Sequence, residues 1–252
     1  MPRRHKNNAI AITSIIAGTI VIIVLLTLFV FVPMFSTNTM TVQGTSTIKV
    51  MPDLVAVFFN IQTNGTTSSD ANTANTIIYN QLKSSLISLG FADNQIGTDS
   101  YNIYPNIIYD TIGKSTNQGF IATHVVKLEF SANDTTKLSS VIDAGTNADA
   151  GISTINFELS QALQNQYKAQ ALQTASQDAK TKADAVAAGF GKITGALVSV
   201  SVDNFNYYPG PIYAASGTSV ASENAGAKAA TMNLAPTTQD VTASISATYK
   251  LA

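Results

Sequence analysis

The side chains with a pKa near neutrality are two histidines, and they set what acid–base chemistry this chain can do. His5 stands in a basic N-terminal flank with Arg3, Arg4 and Lys6. His124 stands in a run where Phe120, Ala122, His124, Val126, Leu128 and Phe130 alternate with Thr123, Lys127 and Glu129, so it faces the apolar side of a strand. A lone histidine there is more often a hydrogen-bonded core residue than a ligand. A Ser-His-Asp triad would have to be built on His124. A metal site would have to add carboxylates to it, because no H-x-H or H-E-x-x-H spacing occurs. The carboxylates open to a glycosidase-type pair are Asp53, Asp93, Asp99, Asp110 and Glu129, which sit at turns or on polar faces where solvation explains them. There are no cysteines, which removes disulfides, thiolate metal sites and cysteine nucleophiles. Gly189-Phe190-Gly191-Lys192 follows a helix instead of opening one, and so reads as a C-cap and not a phosphate loop. The expectation is a chain with no catalytic, cofactor-binding or metal-binding residues. The alternative is a hydrolase or small-molecule-binding enzyme that uses His124 with nearby carboxylates.

The elements that would position these groups begin with a segment foreign to any soluble core. Ala9 to Val32 carries no charge. At about 1.5 Å per residue its roughly 24 residues reach about 36 Å, more than the ~30 Å hydrocarbon core of a bilayer. A cleaved signal peptide would have a shorter apolar region and a small-x-small site. Here the run ends in Val32-Pro33-Met34-Phe35, which favours an uncleaved anchor over residues 9–33. The basic residues lie before the segment and none follows within 36–42, so residues 1–8 are expected inside and everything past the helix outside. Residues 34–41 then form a spacer, and 42–252 form one extracytoplasmic domain. Charged residues make up only 12% of the chain and the net charge is −1, which leaves no electrostatic footprint for nucleic acid. Asn64-Gly65-Thr66 and Asn133-Asp134-Thr135 fit the N-glycosylation pattern, so Asn64 and Asn133 are the candidate acceptors.

Along the domain, Val42 to Val50 and Leu54 to Gln62 read as strands joined at Met51-Pro52-Asp53, a hairpin in this reading. Thr67-Ser68-Ser69-Asp70 opens a helix with Ala71, Ala74, Ile78, Leu82, Leu86 and Leu89 as its stripe, closed by Gly90. Ile96 to Tyr109 is a strand interrupted by Pro105, and the 120–130 run is another. Asn133-Asp134 is expected to cap a short helix before the strand at Ile155, Phe157 and Leu159. Gln161 to Gly189 is the longest soluble helix, with Leu172, Ala175, Ala179, Ala183, Val186 and Phe190 as its narrow stripe. Val198, Val200 and Val202 alternate with Ser199 and Ser201, and the last strand alternates strictly from Val241 to Leu251. Between them, 203–238 reads as a long loop, either a mobile surface segment or a contact made by Phe205, Tyr207, Tyr208 and Tyr213. Ser85–Tyr104 and Ser140–Leu159 share a faint helix-end, Gly, turn, strand pattern. The sum is α+β, a largely antiparallel sheet packed with about three helices.

One series of motifs runs Val42-Gln43-Gly44 with Val50-Met51-Pro52-Asp53-Leu54; Leu89-Gly90, Ile96-Gly97-Thr98 and Tyr101-Asn102-Ile103-Tyr104-Pro105; and Gly119-Phe120-Ile121-Ala122. Ile155-Asn156-Phe157, the helix from Ala169 to Ala187 and the ending Gln239-Asp240-Val241-Thr242-Ala243 complete the set. Together they resemble the SIMPL-domain family, the YggE-like periplasmic and extracytoplasmic proteins. The resemblance implies an α+β fold, an extracytoplasmic location in a microbe, a tendency to form homo-oligomers and a loose connection to envelope stress or to an envelope protein partner. It carries no active site. With the anchor, it leads to the expectation of a single-pass membrane protein with its C-terminal domain extracellular or periplasmic.

Overall fold

The computed structural model describes Thr19, Val21, Ile22 and residues 38–215, 219–230 and 236–252. The basic flank 1–8, the anchor 9–33 but for those three helical residues, and most of the spacer 34–41 lie outside the described residues. Among the described residues no helix is long and apolar enough to cross a membrane. Contacts divide the chain into two compact units: one comprises 45–175 and 204–244, the other the residues up to Gly44, 176–203 and 245–252.

The larger unit is organised by β2 (Leu54–Gly65), β3 (Ile96–Tyr109), β4 (Ser115–Ser131), β5 (Gly151–Glu158) and β7 (Pro211–Ala214), in the order β3-β4-β2-β5-β7. Every pairing in this sheet is antiparallel. Helix α1 (Ser68–Ser88) connects β2 to β3, and α2 (Leu138–Asn147) connects β4 to β5. The path β2-α1-β3 followed by β4-α2-β5 is a split βαβ arrangement of the ferredoxin-like kind. It accounts for the faint internal similarity, since Ser85–Tyr104 and Ser140–Leu159 are the equivalent helix-end and strand pieces of its two halves. Period-two burial places Val55, Val57, Phe59 and Ile61 of β2 with Val126, Leu128 and Phe130 of β4 in one core, closed by Leu82 and Leu86 of α1 and Leu138, Val141 and Ile142 of α2. Helix α1 starts where the sequence predicts: the Thr67 hydroxyl accepts from Asp70 N–H, and the Asp70 carboxylate accepts from Thr67 N–H, a reciprocal capping box. Gly90 ends it at φ +91°.

A three-stranded sheet, in the order β1-β8-β6, is formed by β1 (Thr39–Val50), β6 (Thr194–Tyr207) and β8 (Gln239–Leu251). The hairpin expected between the first two strands is therefore not formed. Pro52 is buried, and Asp53 ties the turn into the larger sheet: its N–H donates to the Glu158 carbonyl, and its own carbonyl accepts from Ala132 N–H. The turn transfers the chain from one sheet to another instead of reversing it.

Three further expectations are corrected. The long helix α3 (Gln161–Gly189) buries Ala171, Ala175, Ala179, Ala183 and Ala187, one alanine every four residues, while Val186 and Phe190 are exposed. Close approach of the backbone selects the smallest side chains over the most hydrophobic ones. The turn after β4 is capped by Ser131, whose hydroxyl accepts from Asn133 N–H, and not by Asn133-Asp134. The 203–238 stretch is not one irregular loop: it holds the end of β6, the edge strand β7 and a fourth helix, α4 (Val220–Ala230), with 216–218 and 231–235 outside the described residues. Helix α4 has too few large apolar residues for a visible stripe, and it is fastened by Asn224, which accepts from Ile152 N–H at 2.8 Å and donates to the Ala150 carbonyl at 3.1 Å.

Candidate functional site

His124 is a core residue held on all sides by neutral partners. Its Nε2 lies 2.8 Å from the Thr98 hydroxyl and its Nδ1 3.2 Å from Asn75 Oδ1. The Asn75 amide nitrogen donates to the carbonyls of Ile61 and Ala122, so its oxygen is the acceptor and His124 Nδ1 carries the proton. Tyr79 lies tilted against the imidazole, with ring centroids 4.8 Å apart, and Tyr101 meets it edge-on at 5.1 Å. Burial holds the imidazole pKa below its ordinary value. A general base needs a free nitrogen within reach of a substrate proton, and here both ring nitrogens are engaged.

The carboxylates singled out from the sequence have separate structural tasks. Asp53 accepts from Ser160 N–H at 2.7 Å. Asp93 pairs with Lys83. Asp110 accepts from Ile112 N–H and Lys114 N–H in the turn of the β3–β4 hairpin. Glu129 pairs with Lys127, which also reaches Glu158 and lies over the Phe58 ring. Burial works against the Lys127 charge, but its bonds to Glu129 and Glu158 outweigh that and raise its pKa. Asp99 is exposed. Among the described residues, no three His, Asp or Glu side chains converge as a metal-binding group. The two candidate sequon residues, Asn64 at the end of β2 and Asn133 in the turn after β4, are both exposed.

The four aromatic residues proposed as a contact group are not equivalent. Tyr207 is a buttress: its hydroxyl accepts from Leu159 N–H at 2.7 Å and donates to Gln239 Oε1 at 2.8 Å. Tyr213 donates to the Glu223 carbonyl and packs against the core. Phe205 is half-buried beneath the ammonium of Lys168. Tyr208 is the exposed member.

The most unusual surface of the larger unit went unread in the sequence. Beyond the Gly65–Phe120 pair β2 ends, and β3 and β4 continue as a two-stranded arm closed by Asp110–Lys114. Tyr104 at its base and Ile107 and Ile108 along it are about half exposed, and Tyr109 and Ile112 reach 68% and 86%. Ile107 and Ile108 stand on opposite faces, so the arm is apolar on both sides of β3. The opposing strand, Ser115 to Gln118, is polar. The signal was present as Ile107-Ile108-Tyr109, three consecutive apolar residues that a one-sided strand would not need.

Two hollows open on the surface of the described residues. One, of about 460 Å³, lies between α1 and α2 and is lined by Ser84, Ser88, Ser140 and Asp143, the last paired with Lys228. The other, of about 440 Å³, is bounded by Phe157, Pro211, Ile212 and Gln239.

The SIMPL family model, described as a protein of unknown function (DUF541), matches residues 40–249, from the first strand to the last. No curated protein matches the chain closely enough to count as a relative. With the match covering all the secondary structure assigned from Thr39 onward except its outermost residues, the chain belongs to the SIMPL family.

Proposed function

We propose that this chain is a membrane-tethered, non-catalytic interaction and assembly protein of the cell envelope. The observation that carries the reading is the β3–β4 arm, which holds Ile107, Ile108, Tyr109 and Ile112 in solvent with only Asp110 and Lys114 as charges at its turn. Exposed apolar surface of this kind marks a contact to be covered. The tether rests on the apolar 9–33 segment and its basic flank. The engagement of both nitrogens of His124 favours a structural histidine over the hydrolase alternative.

The test replaces Ile107, Ile108 and Ile112 by Ser in the full chain. The protein mass of the detergent-solubilised material is then measured by light scattering, alongside the wild type. Assemblies larger than a pair should shrink in the variant while its circular dichroism is retained. An unchanged mass removes the arm from the account. A wild type that is monomeric throughout removes self-assembly and leaves partner binding.

A further inference from the structure

Sheet edges expose unpaired backbone groups, and folded proteins guard them with charge, proline, bulges or brevity. Among the described residues the two sheets have four edges, and three of them are guarded. β3 carries Pro105 and irregularities between Thr98 and Ser100 and between Pro105 and Ile107. β7 is four residues long. β1 is Thr-rich and carries Lys49, paired with Asp240. β6 is the exception: it runs for fourteen residues at the end of the β1-β8-β6 sheet, has no proline, and holds Asp203 as its one charged residue. That carboxylate is already occupied, accepting from Ser246 at 2.6 Å. Yet Leu197, Val198, Val200 and Val202 stand 52–57% exposed.

Which face the valines occupy follows from Asp203. Ser246 lies between the buried Ile245 and Ala247 of β8, so it points away from the apolar face, and Asp203 meets it there. By alternation Val198, Val200 and Val202 point to the opposite side, the side of Ile245 and Ala247, with Ser199 and Ser201 on the Asp203 side. The row is β-branched and suited to a sheet, but half of it is left in water.

The row is also a palindrome. Val198-Ser199-Val200-Ser201-Val202 reads the same in both directions, and Val200 sits at the middle of β6. We propose that β6 pairs antiparallel with β6 of a second copy about a two-fold axis through Val200. In that register Val200 opposes Val200, Val198 opposes Val202, and Ser199 opposes Ser201. Each face then receives like-for-like cross-strand pairs, valine on one and hydroxyl on the other. Asp203 falls opposite Leu197, so no like charges meet. The contact is isologous and closed, and it joins two three-stranded sheets into one of six strands. This inference gives the assembly reading a partner and a register, on a surface other than the β3–β4 arm.

The absence of cysteine in the chain makes the register directly readable. Val200→Cys and Val198→Cys, each as the sole thiol in the full chain in detergent, are oxidised with copper-phenanthroline and followed on a non-reducing gel. Across the proposed axis the thiol of the Val200→Cys variant meets its own copy, whereas that of Val198→Cys faces Val202. Val200→Cys should therefore cross-link at least tenfold faster. Mixing Ser199→Cys with Ser201→Cys should give the mixed dimer in excess over either homodimer. Equal rates for the two valine variants, or no dimer from Val200→Cys, overturn the proposal. Val200→Lys, which sets two ammonium groups against each other at an exposed position, should halve the light-scattering mass of the pair with an unchanged circular dichroism spectrum; a pair that survives it overturns the proposal too. The Ile107, Ile108 and Ile112 serine variant should leave the Val200→Cys cross-link intact, so that the arm and the β6 contact stand or fall separately.

Discussion

His124 Nδ1 lies 3.2 Å from Asn75 Oδ1, joining the middle of α1 to β4, and the same asparagine donates to the Ile61 carbonyl on β2 at 3.1 Å. With Thr98 of β3 on the other ring nitrogen, the His124–Asn75 pair links a helix to three strands. Every partner is neutral, and burial disfavours the imidazolium, so the folded pKa lies below the ordinary value. In the unfolded chain His124 titrates near ~6.5. As pH falls through that value the unfolded state takes up the proton first, so this contribution to stability is full above it and declines toward the lower folded pKa. Urea midpoints measured between pH 7.5 and 5.5 should fall with acidification in the wild type and fall less steeply in His124→Gln. Parallel slopes would show that His124 does not titrate on unfolding.

Asn75 is buried with its amide satisfied at both ends. Asn75→Ala strands the His124 N–H and removes a donor from the Ile61 carbonyl, a loss of about 1–3 kcal/mol. Asn72, one turn away, accepts from the exposed Tyr101 hydroxyl, and Asn72→Ala should cost no more than about 0.5–1 kcal/mol. Denaturant titration of both variants checks the ranking, and an equal cost at the two sites would contradict the network described.

What the sequence could show depended on whether one residue's neighbours in the chain are also its neighbours in space. The alternation of β4 and β8 was visible because each buries one face, and the Thr67–Asp70 capping box because it is closed within four residues. Pairing was not visible. The Met51-Pro52-Asp53 turn has the same local chemistry whether the next strand returns or departs, and the Asp53 bonds to Glu158 and Ala132 that decide the matter lie far along the chain. Helix α4 stayed hidden because its anchor is the buried amide of Asn224 and not an apolar stripe. The α3 stripe was misassigned at Val186 and Phe190 because hydrophobicity ranks valine and phenylalanine above the alanines that close packing requires. For the site, the sequence placed His124 correctly on an apolar face but did not register the bare edge of β6 or the exposed arm, since exposure depends on what the rest of the chain leaves uncovered.

Gly119 and Gly90 separate two reasons for a glycine. Both have positive φ, +100° and +91°. A Cβ at Gly119 would also fall 2.2 Å from the Gly65 carbonyl oxygen, whereas one at Gly90 meets nothing within 4 Å. Gly90→Ala should therefore cost the left-handed penalty alone, about 1–2 kcal/mol. Gly119→Ala must also displace the end of β2, for a total of about 3–5 kcal/mol. Shifts in urea midpoint at constant slope provide the comparison. Equal losses would mean that β2 yields without cost at Gly65.

Tyr207 and Tyr208, adjacent in sequence, should divide stability from contact. The Tyr207 hydroxyl is the acceptor for Leu159 N–H, and through Gln239 it is connected to the Phe157 carbonyl, with 2.8 Å from Gln239 Nε2 to that oxygen. Tyr207→Phe keeps the ring and leaves a part-buried N–H without its acceptor, so the fold should lose about 1–3 kcal/mol. Tyr208 is 78% exposed, and Tyr208→Ala should change stability by less than about 0.5 kcal/mol. If aromatic residues of this segment touch a partner, the effect on association should follow Tyr208 and not Tyr207. Thermal melts and light scattering on the two variants give both readouts from one sample. A stable Tyr207→Phe would remove the buttress, and a Tyr208→Ala variant that associates as the wild type does would remove this segment from the contact surface.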